Sequence, residues 1–337
     1  MRSMLGPIVA AVVVLAAALP PAPPSSGEGA LRGAVRDYLA ALRPASRARA
    51  TFAFSDPARG DWHFVPRERR GLALGAMDDA ERRATHALLR AALTPRGYGR
   101  ALGVIELESV LREIESNPGR DPGLYHVSVF GEPAGAGPWS LRFEGHHLAL
   151  NFTGVSRGGI APTPLFLGSN PGEVLDGPRA GFKLLAPHEE RARELVRSLS
   201  PPQRRKAVIS ETAPADVLFG PGRAVEPPER EGIAFAELDP EQLALARALV
   251  AEFEGDVAGG GRAAGEVPSA SELASTRFAW AGGLEPGQGH YWRIAGPRDV
   301  FEYDNTQNGA NHVHALWRDR ANDLAAAWLA RHHAAEH

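Results

Sequence analysis

The stretch from His290 to Asp319, HYWRIAGPRDVFEYDNTQNGANHVHALWRD, limits the fold more than any other part of the chain. Aromatic and β-branched residues alternate with polar ones on either side of Gly296-Pro297-Arg298, the pattern of an antiparallel hairpin. A polar Asn/Gln/Gly loop follows, then a third extended segment carrying His312 and His314. With Ile294 opposite Val300, the register sets His290 against Asp304 and Trp292 against Glu302. All four side chains then share one face, because cross-strand partners point the same way. The two rings of His312-x-His314 also lie on one side of their strand. A histidine and two carboxylates on a hairpin face, followed by a His-x-His pair, make a candidate ligand set for a divalent metal. The same groups also suit a hydrogen-bonded network without a metal.

The N-terminus reads as an export signal. Arg2 supplies the positive end, and IVAAVVVLAAAL is an apolar core too short for a comfortable membrane span. Candidate cleavage positions fall between Ala18 and Ala30. The expectation is an exported protein, periplasmic or extracellular, with residues 1–30 outside the fold and no stable membrane span after cleavage. An uncleaved signal acting as a membrane tether is the alternative. The remaining 31–333 suffice for a single large domain without disulfides, and the absence of cysteine also removes thiolate ligands and a cysteine nucleophile. A formal charge of −3 carries no signal for a polyanion, which argues against nucleic acid as a partner.

Along the chain, 31–118 reads as mainly helical. Leu31, Val35, Tyr38, Leu39 and Leu42 have helical spacing, and short strands are expected at Thr51–Phe54 and Trp62–Val65. Asp78 followed by Glu81 opens a helix to about Leu93, and a second runs from about Tyr98 to Glu115. The texture becomes strand-like through 124–185, with strands expected at Tyr125–Phe130, Trp139–Phe143, His147–Thr153 and Gly181–Leu184. Helices return at Pro187–Leu199, after Ser200-Pro201-Pro202-Gln203 and after Asp239-Pro240-Glu241-Gln242. Strands resume through 277–318. Runs of helices alternating with runs of strands, without a regular β-α alternation, predict an α+β fold with a mostly antiparallel sheet.

Glu144-Gly145-His146-His147 leads into the strand LALNFT. On a two-residue period His147 takes the more polar face, with Ala149 and Asn151, so His147 rather than His146 is the candidate to join a metal. Neutral imidazole with carboxylate suits zinc, iron, manganese or copper. His147, His290, His312 and His314 are thus the candidate metal ligands. Glu302, Asp304 and His290 are the candidate acid–base groups, and Asn305, Asn308, Asn311, Arg318 and Glu144 the candidate contacts to a small polar substrate. Glu106 and Glu108 interrupt an otherwise apolar helix and read as its solvated face. No His-Glu-x-x-His helix is present in the sequence.

RDPGLYHVSVFGEP, GPWSLRFEGHHLALNFT, TPLFLGSNPGEV and the 290–319 phrase together resemble the exported proteins grouped as domain-of-unknown-function family 3500. The resemblance runs from about Leu31 to His332 and implies one domain, because both halves carry characteristic phrases. It implies no activity. The residues themselves point to an exported metal-dependent enzyme, hydrolase or oxidoreductase, acting on a small polar substrate. A non-catalytic extracytoplasmic binding module and a metal-free hydrolase using a His290–Asp304 pair are the alternatives.

Overall fold

The computed structural model describes residues 26–155, 159–259 and 269–336. The expected export signal lies outside the described residues up to position 25. The fold, however, begins before Leu31: helix α1 (Ser26–Ala41) is already formed there. Its Glu28 is buried, accepting hydrogen bonds from Trp139 Nε1 at 3.2 Å and Arg32 Nε at 2.7 Å. The fold therefore includes residues that the expected boundary at 31 left out.

Helix α2 (Pro44–Ala50) leads into strands β1 (Thr51–Phe52) and β2 (Leu72–Ala73). Two longer helices follow, α3 (Asp79–Ala92) and α4 (Pro95–Glu115). The Asp78 carboxylate accepts from the Glu81 amide, and Glu81 returns a bond to the Asp78 amide, so the expected capping box is present. The two helices are separate, and α4 starts before the expected Tyr98: Thr94 caps the Gly97 amide and Pro95 occupies the first turn.

The strands of the first half are β3 (His126–Gly131), β4 (Trp139–Gly145), β5 (Leu148–Val155), β6 (Gly159–Ala161) and β7 (Leu165–Ser169). Helices α5 (Ala186–Ser198) and α6 (Pro201–Ala207) come next, then β8 (Val208–Ser210) and β9 (Ile233–Ala234), then α7 (Pro240–Glu254) and α8 (Ala270–Ser275). The chain closes with β10 (Arg277–Gly282), β11 (His290–Ala295), β12 (Asp299–Gln307), β13 (His312–Asp319) and α9 (Ala326–Glu336). Trp62–Val65 and Gly181–Leu184, expected as strands, are irregular loops.

All these strands join one mixed, mostly antiparallel sheet, along the path β1-β3-β4-β5-β7-β13-β12-β11-β10-β8, with β2 paired to β3, β6 to β5 and β9 to β10 beside it. Strands from the two halves of the chain meet where β7 pairs with β13, so the fold is one α+β domain.

The two faces of the sheet differ because side chains alternate along each strand. One face carries Phe143, Leu150, Leu167, Ala315, Tyr303, Trp292 and Trp280, and packs with helix residues such as Val35, Leu88, Leu195 and Phe253 in the main core. The opposite face carries Arg142, Asn151, Glu302, Asp304 and His314, and is covered by loops. Trp62, Phe64, Val217 and Phe219 from those loops pack on Ala149, Phe166, Val300 and Leu316. Phe64 stacks on Phe166 with ring centroids 3.9 Å apart, a contact of about 0.5–1.5 kcal/mol beyond area burial.

One expectation fails by a single residue. The β11–β12 hairpin pairs Ile294 with Phe301 and Arg293 with Glu302, not Ile294 with Val300. Gly296 N–H donates to the Asp299 carbonyl at 2.8 Å, closing a two-residue Pro297–Arg298 turn in place of the expected three-residue one. A slip of one residue exchanges the faces of a strand. His290 consequently lies on the helix-covered face, away from Glu302 and Asp304.

Candidate metal centre

His147 closes the tight turn between β4 and β5, in which Gly145 pairs with Leu148. Its backbone is left-handed, with φ 59°, an uncommon state for a residue with a side chain. Two backbone bonds hold it there: its N–H donates to the Phe64 carbonyl at 2.9 Å, and its carbonyl accepts from Gly168 N–H at 2.7 Å. Gly168 leaves the space the ring fills, since a Cβ at 168 would sit 2.8 Å from His147 Cγ.

His312 and His314 project from the start of β13 on the loop-covered face, with His314 paired to Asp304 on one side and Gly168 on the other. The seam between the two halves of the sheet thus brings three imidazoles together. His147 Nε2 is 2.8 Å from His312 Nε2 and 3.4 Å from His314 Nε2. One ligand atom from each of the three lies within 4.8 Å of the other two, so the group could hold a metal ion. Nitrogens bound at ~2.0–2.1 Å from one ion stand roughly 2.9–3.4 Å apart at right-angled to tetrahedral geometry, and these separations fit.

The surroundings keep the nitrogens available. His314 Nδ1 is 2.6 Å from Asp216 Oδ1, an arrangement that puts the ring proton on Nδ1 and leaves Nε2 bare toward the other two rings. Burial would raise the Asp216 carboxyl, but the bond and charge of His314 and the Val217 amide outweigh it and hold it below its usual value. Burial pushes His147 well below the ordinary imidazole value, and its histidine neighbours push it further. His312 falls to about 3 through burial and then the proximity of His314 and His146. Both rings are therefore neutral near pH 7, the state a metal requires. His147 and His314 are buried, and His312 is half-buried on the solvent side.

Asp304 lies directly across from His314 and is 1% exposed. Thr306 donates to its Oδ1 through both N–H, at 3.0 Å, and Oγ1, at 2.8 Å. Oδ2 is buried with no hydrogen-bond partner. Burial, against the Thr306 bonds, lifts this carboxyl to about 6.

The other residues singled out from sequence stand elsewhere or do other work. His290 is stacked between Trp280 and Tyr303 at 4.5 and 5.3 Å, on the opposite side of the sheet from the three imidazoles. Glu302 faces the same way as Asp304 but is fully engaged: Leu218 N–H, Phe219 N–H and Tyr291 OH all donate to it at 2.7–2.9 Å. It pins the loop that carries Asp216. Asn305 accepts from the His290 amide. Asn308 donates to Asn170 Oδ1, and Asn311 clamps the backbone of Glu173 through both its amide nitrogen and oxygen. Arg318 bonds Asp323 and the Phe219 carbonyl. Glu144 is buried between Arg69 and Arg142.

Three groups at the site escape a reading of the sequence. Asp216 lies 98 residues from its partner His314, in a loop with no distinguishing spacing. His146 stacks on His147 at 3.8 Å and bonds Glu108 of α4, while Arg120 Nη1 stands 3.3 Å from its ring nitrogens. Glu108 did carry a signal: it is a carboxylate in an apolar helix, and it is 4% exposed rather than solvated.

Neither the curated proteins nor the solved structures yield a match to this chain. A family model matches residues 26–326, from the first turn of α1 to the start of α9, and takes in every residue of the histidine site. The chain belongs to the family described as Protein of unknown function (DUF3500).

Proposed function

We propose that this protein is an exported, metal-dependent hydrolase acting on a small polar substrate, with the ion held by His147, His312 and His314. The carrying observation is the convergence of three Nε2 atoms, one of them freed by the His314–Asp216 bond. Imidazole nitrogens suit zinc, copper or iron better than manganese, and zinc, with three protein ligands and an open fourth position, is the ion we favour. Bound there, it would supply an acidified water for hydrolysis.

The protein's own groups have distinct tasks. Asp216 fixes the tautomer and direction of His314. Asp304 offers a buried, unbonded oxygen beside that histidine, placed to take up or hold a proton. The Glu108–His146 pair holds a second imidazole against His147. His312 is the least buried of the three imidazoles. Among the described residues no helix is long and apolar enough to cross a membrane. Export rests on the pattern of Arg2 and the apolar run that follows it.

One distance favours a second reading. At 2.8 Å, His147 and His312 are also within hydrogen-bond reach, as in a metal-free network. Metal analysis of tag-free protein separates the two. About one equivalent of zinc per chain, lost in His312→Ala and His314→Ala, is expected. A wild-type protein that neither carries nor takes up zinc refutes the metal reading.

A further inference from the structure

A cavity of about 230 Å³ opens on the loop-covered face of the sheet, in a separate place from the three imidazoles. At ~30 Å³ per molecule it holds roughly seven or eight waters, or one small organic molecule. Four arginines and three acidic residues line it, so its charges nearly balance. The lining includes two guanidinium groups, of Arg69 and Arg142, whose side chains are each only 4% exposed.

The fold itself fixes both cations. Arg69 Nη1 donates to the Arg67 carbonyl, and Nη2 reaches those of His63, Val65 and Gly145. Arg142 donates to Asn151 Oδ1 and to the carbonyls of Ala58, Asp61 and Arg59. Between them sits Glu144, its side chain 7% exposed. Its oxygens are 3.6 Å from Arg69 Nε and 3.6 Å from Arg142 Nη1, beyond hydrogen-bond reach on both sides.

That leaves specific valences unfilled among the residues that line the cavity. Arg69 Nε is buried with no hydrogen-bond partner. A guanidinium has five N–H groups, and Arg142 spends four, so one N–H on Nη2 remains. Glu144 contributes acceptor lone pairs directly beside these donors. An anion would meet the carboxylate and a cation the guanidinium groups. A hydroxyl both donates and accepts, and so satisfies both sides of such a gap. Phe130 adds an apolar wall suited to a C–H face.

The geometry points to a binding site for a polyhydroxylated ligand, a sugar or polyol, whose neighbouring hydroxyls bridge Arg69, Glu144 and Arg142. The site stands independently of the metal reading. It is nonetheless tied to the histidines, because Arg69 holds the carbonyls either side of Phe64, and the Phe64 ring packs 5.0 Å from that of His314.

Calorimetric titration of the full chain with glucose and myo-inositol, and separately with inorganic phosphate and acetate, tests it. At least one neutral polyol is expected to bind, with Glu144→Gln weakening it about tenfold or more, as for a lost bond to a charged group. Ser128→Thr, which adds one methyl to the lining, gives the same loss without altering charge and serves if Glu144→Gln fails to fold. Zinc content should stay unchanged in Ser128→Thr. Binding of phosphate or acetate in place of polyols overturns the assignment. So does the absence of binding by every probe, which leaves a water-filled cavity, or polyol binding that neither variant weakens.

Discussion

Gly168→Ala puts the histidine site to a test that leaves every proposed ligand in the sequence. The backbone at 168 is not left-handed, so alanine introduces no conformational strain there. What it introduces is a methyl 2.8 Å from His147 Cγ, 2.9 Å from Cδ2 and 3.0 Å from Cβ. Carbon atoms prefer ~3.5–4.0 Å, so the ring must retreat by about 0.7 Å or more. It has little freedom to do so, with its backbone tied at both N–H and carbonyl and His146 stacked at 3.8 Å. Metal ligands tolerate only about ±0.2 Å, so His147 Nε2 leaves the set. The expected cost is roughly 10–100-fold in zinc affinity, the range seen when a ligand's orientation is lost, and ~1–3 kcal/mol of overpacking strain in the metal-free protein. Competition with a chromophoric chelator measures the first, and urea unfolding in the presence of a strong chelator the second. Gly99→Ala in α4 is the control: nothing lies within 4 Å of its added Cβ, and it should stabilise by about 1 kcal/mol without touching the site. A folded Gly168→Ala protein that binds zinc as tightly as wild type would show that His147 is not a ligand.

Three further outcomes follow from the same geometry. Asp216→Asn keeps the shape but removes the charge on His314, and should weaken zinc about 10–100-fold in the chelator assay; an unchanged affinity removes Asp216 from the site. Glu302→Gln sets an amide N–H against the Leu218 or Phe219 N–H, and should cost about 1–3 kcal/mol in urea unfolding while loosening the Asp216 loop; a wild-type transition contradicts this. Acid should destabilise the metal-free fold, because His290 is pushed from 6.5 to about 4 and His312 to about 3, so between those values and 6.5 the unfolded chain binds more protons than the folded one. His290, which is fully buried, accounts for on the order of 3 kcal/mol over that window, and His290→Phe should flatten the loss of stability measured between neutral pH and about pH 4. Asp304 acts in the opposite sense, since a carboxyl lifted to about 6 takes up its proton in the folded state first, and Asp304→Asn should make the acid loss steeper.

The parts of this molecule that depend on neighbours in sequence could be read from the sequence. Asp78 with Glu81, Ser200 with Gln203 and Asp239 with Gln242 each sit three residues apart, and each opens the helix it announces. His312 and His314 share a face because an extended backbone alone decides that. The hairpin register was a different kind of question. Both an odd and an even turn were compatible with Gly-Pro-Arg, and the choice fell to how Trp292 and Phe301 bury against Phe253 of α7, beyond the reach of the local pattern. That choice sent His290 to the core. The Asp216 contact and the stacking of Phe64 on Phe166 depend on loops folding back across the sheet, and composition holds no record of them.

The position of the histidines also bears on whether a bound ion serves structure or chemistry. A structural zinc site is closed by four protein ligands, whereas a catalytic one keeps three and an open position. Here His147 comes from the β4–β5 turn and the other two from β13, so an ion would staple the β7–β13 seam and stabilise the fold by linkage. A staple alone would be best served by a buried fourth ligand, and the sheet has one at hand in Asp304, cross-strand to His314. Instead, Thr306 bonds one oxygen of Asp304 twice, the other oxygen is bare, and among the described residues only the three imidazoles form a metal-binding group. His312 is the least buried of the three imidazoles. The bare oxygen of Asp304 beside His314 is what the proposed hydrolase reading uses as a proton acceptor, and a purely structural reading would use it as a fourth ligand.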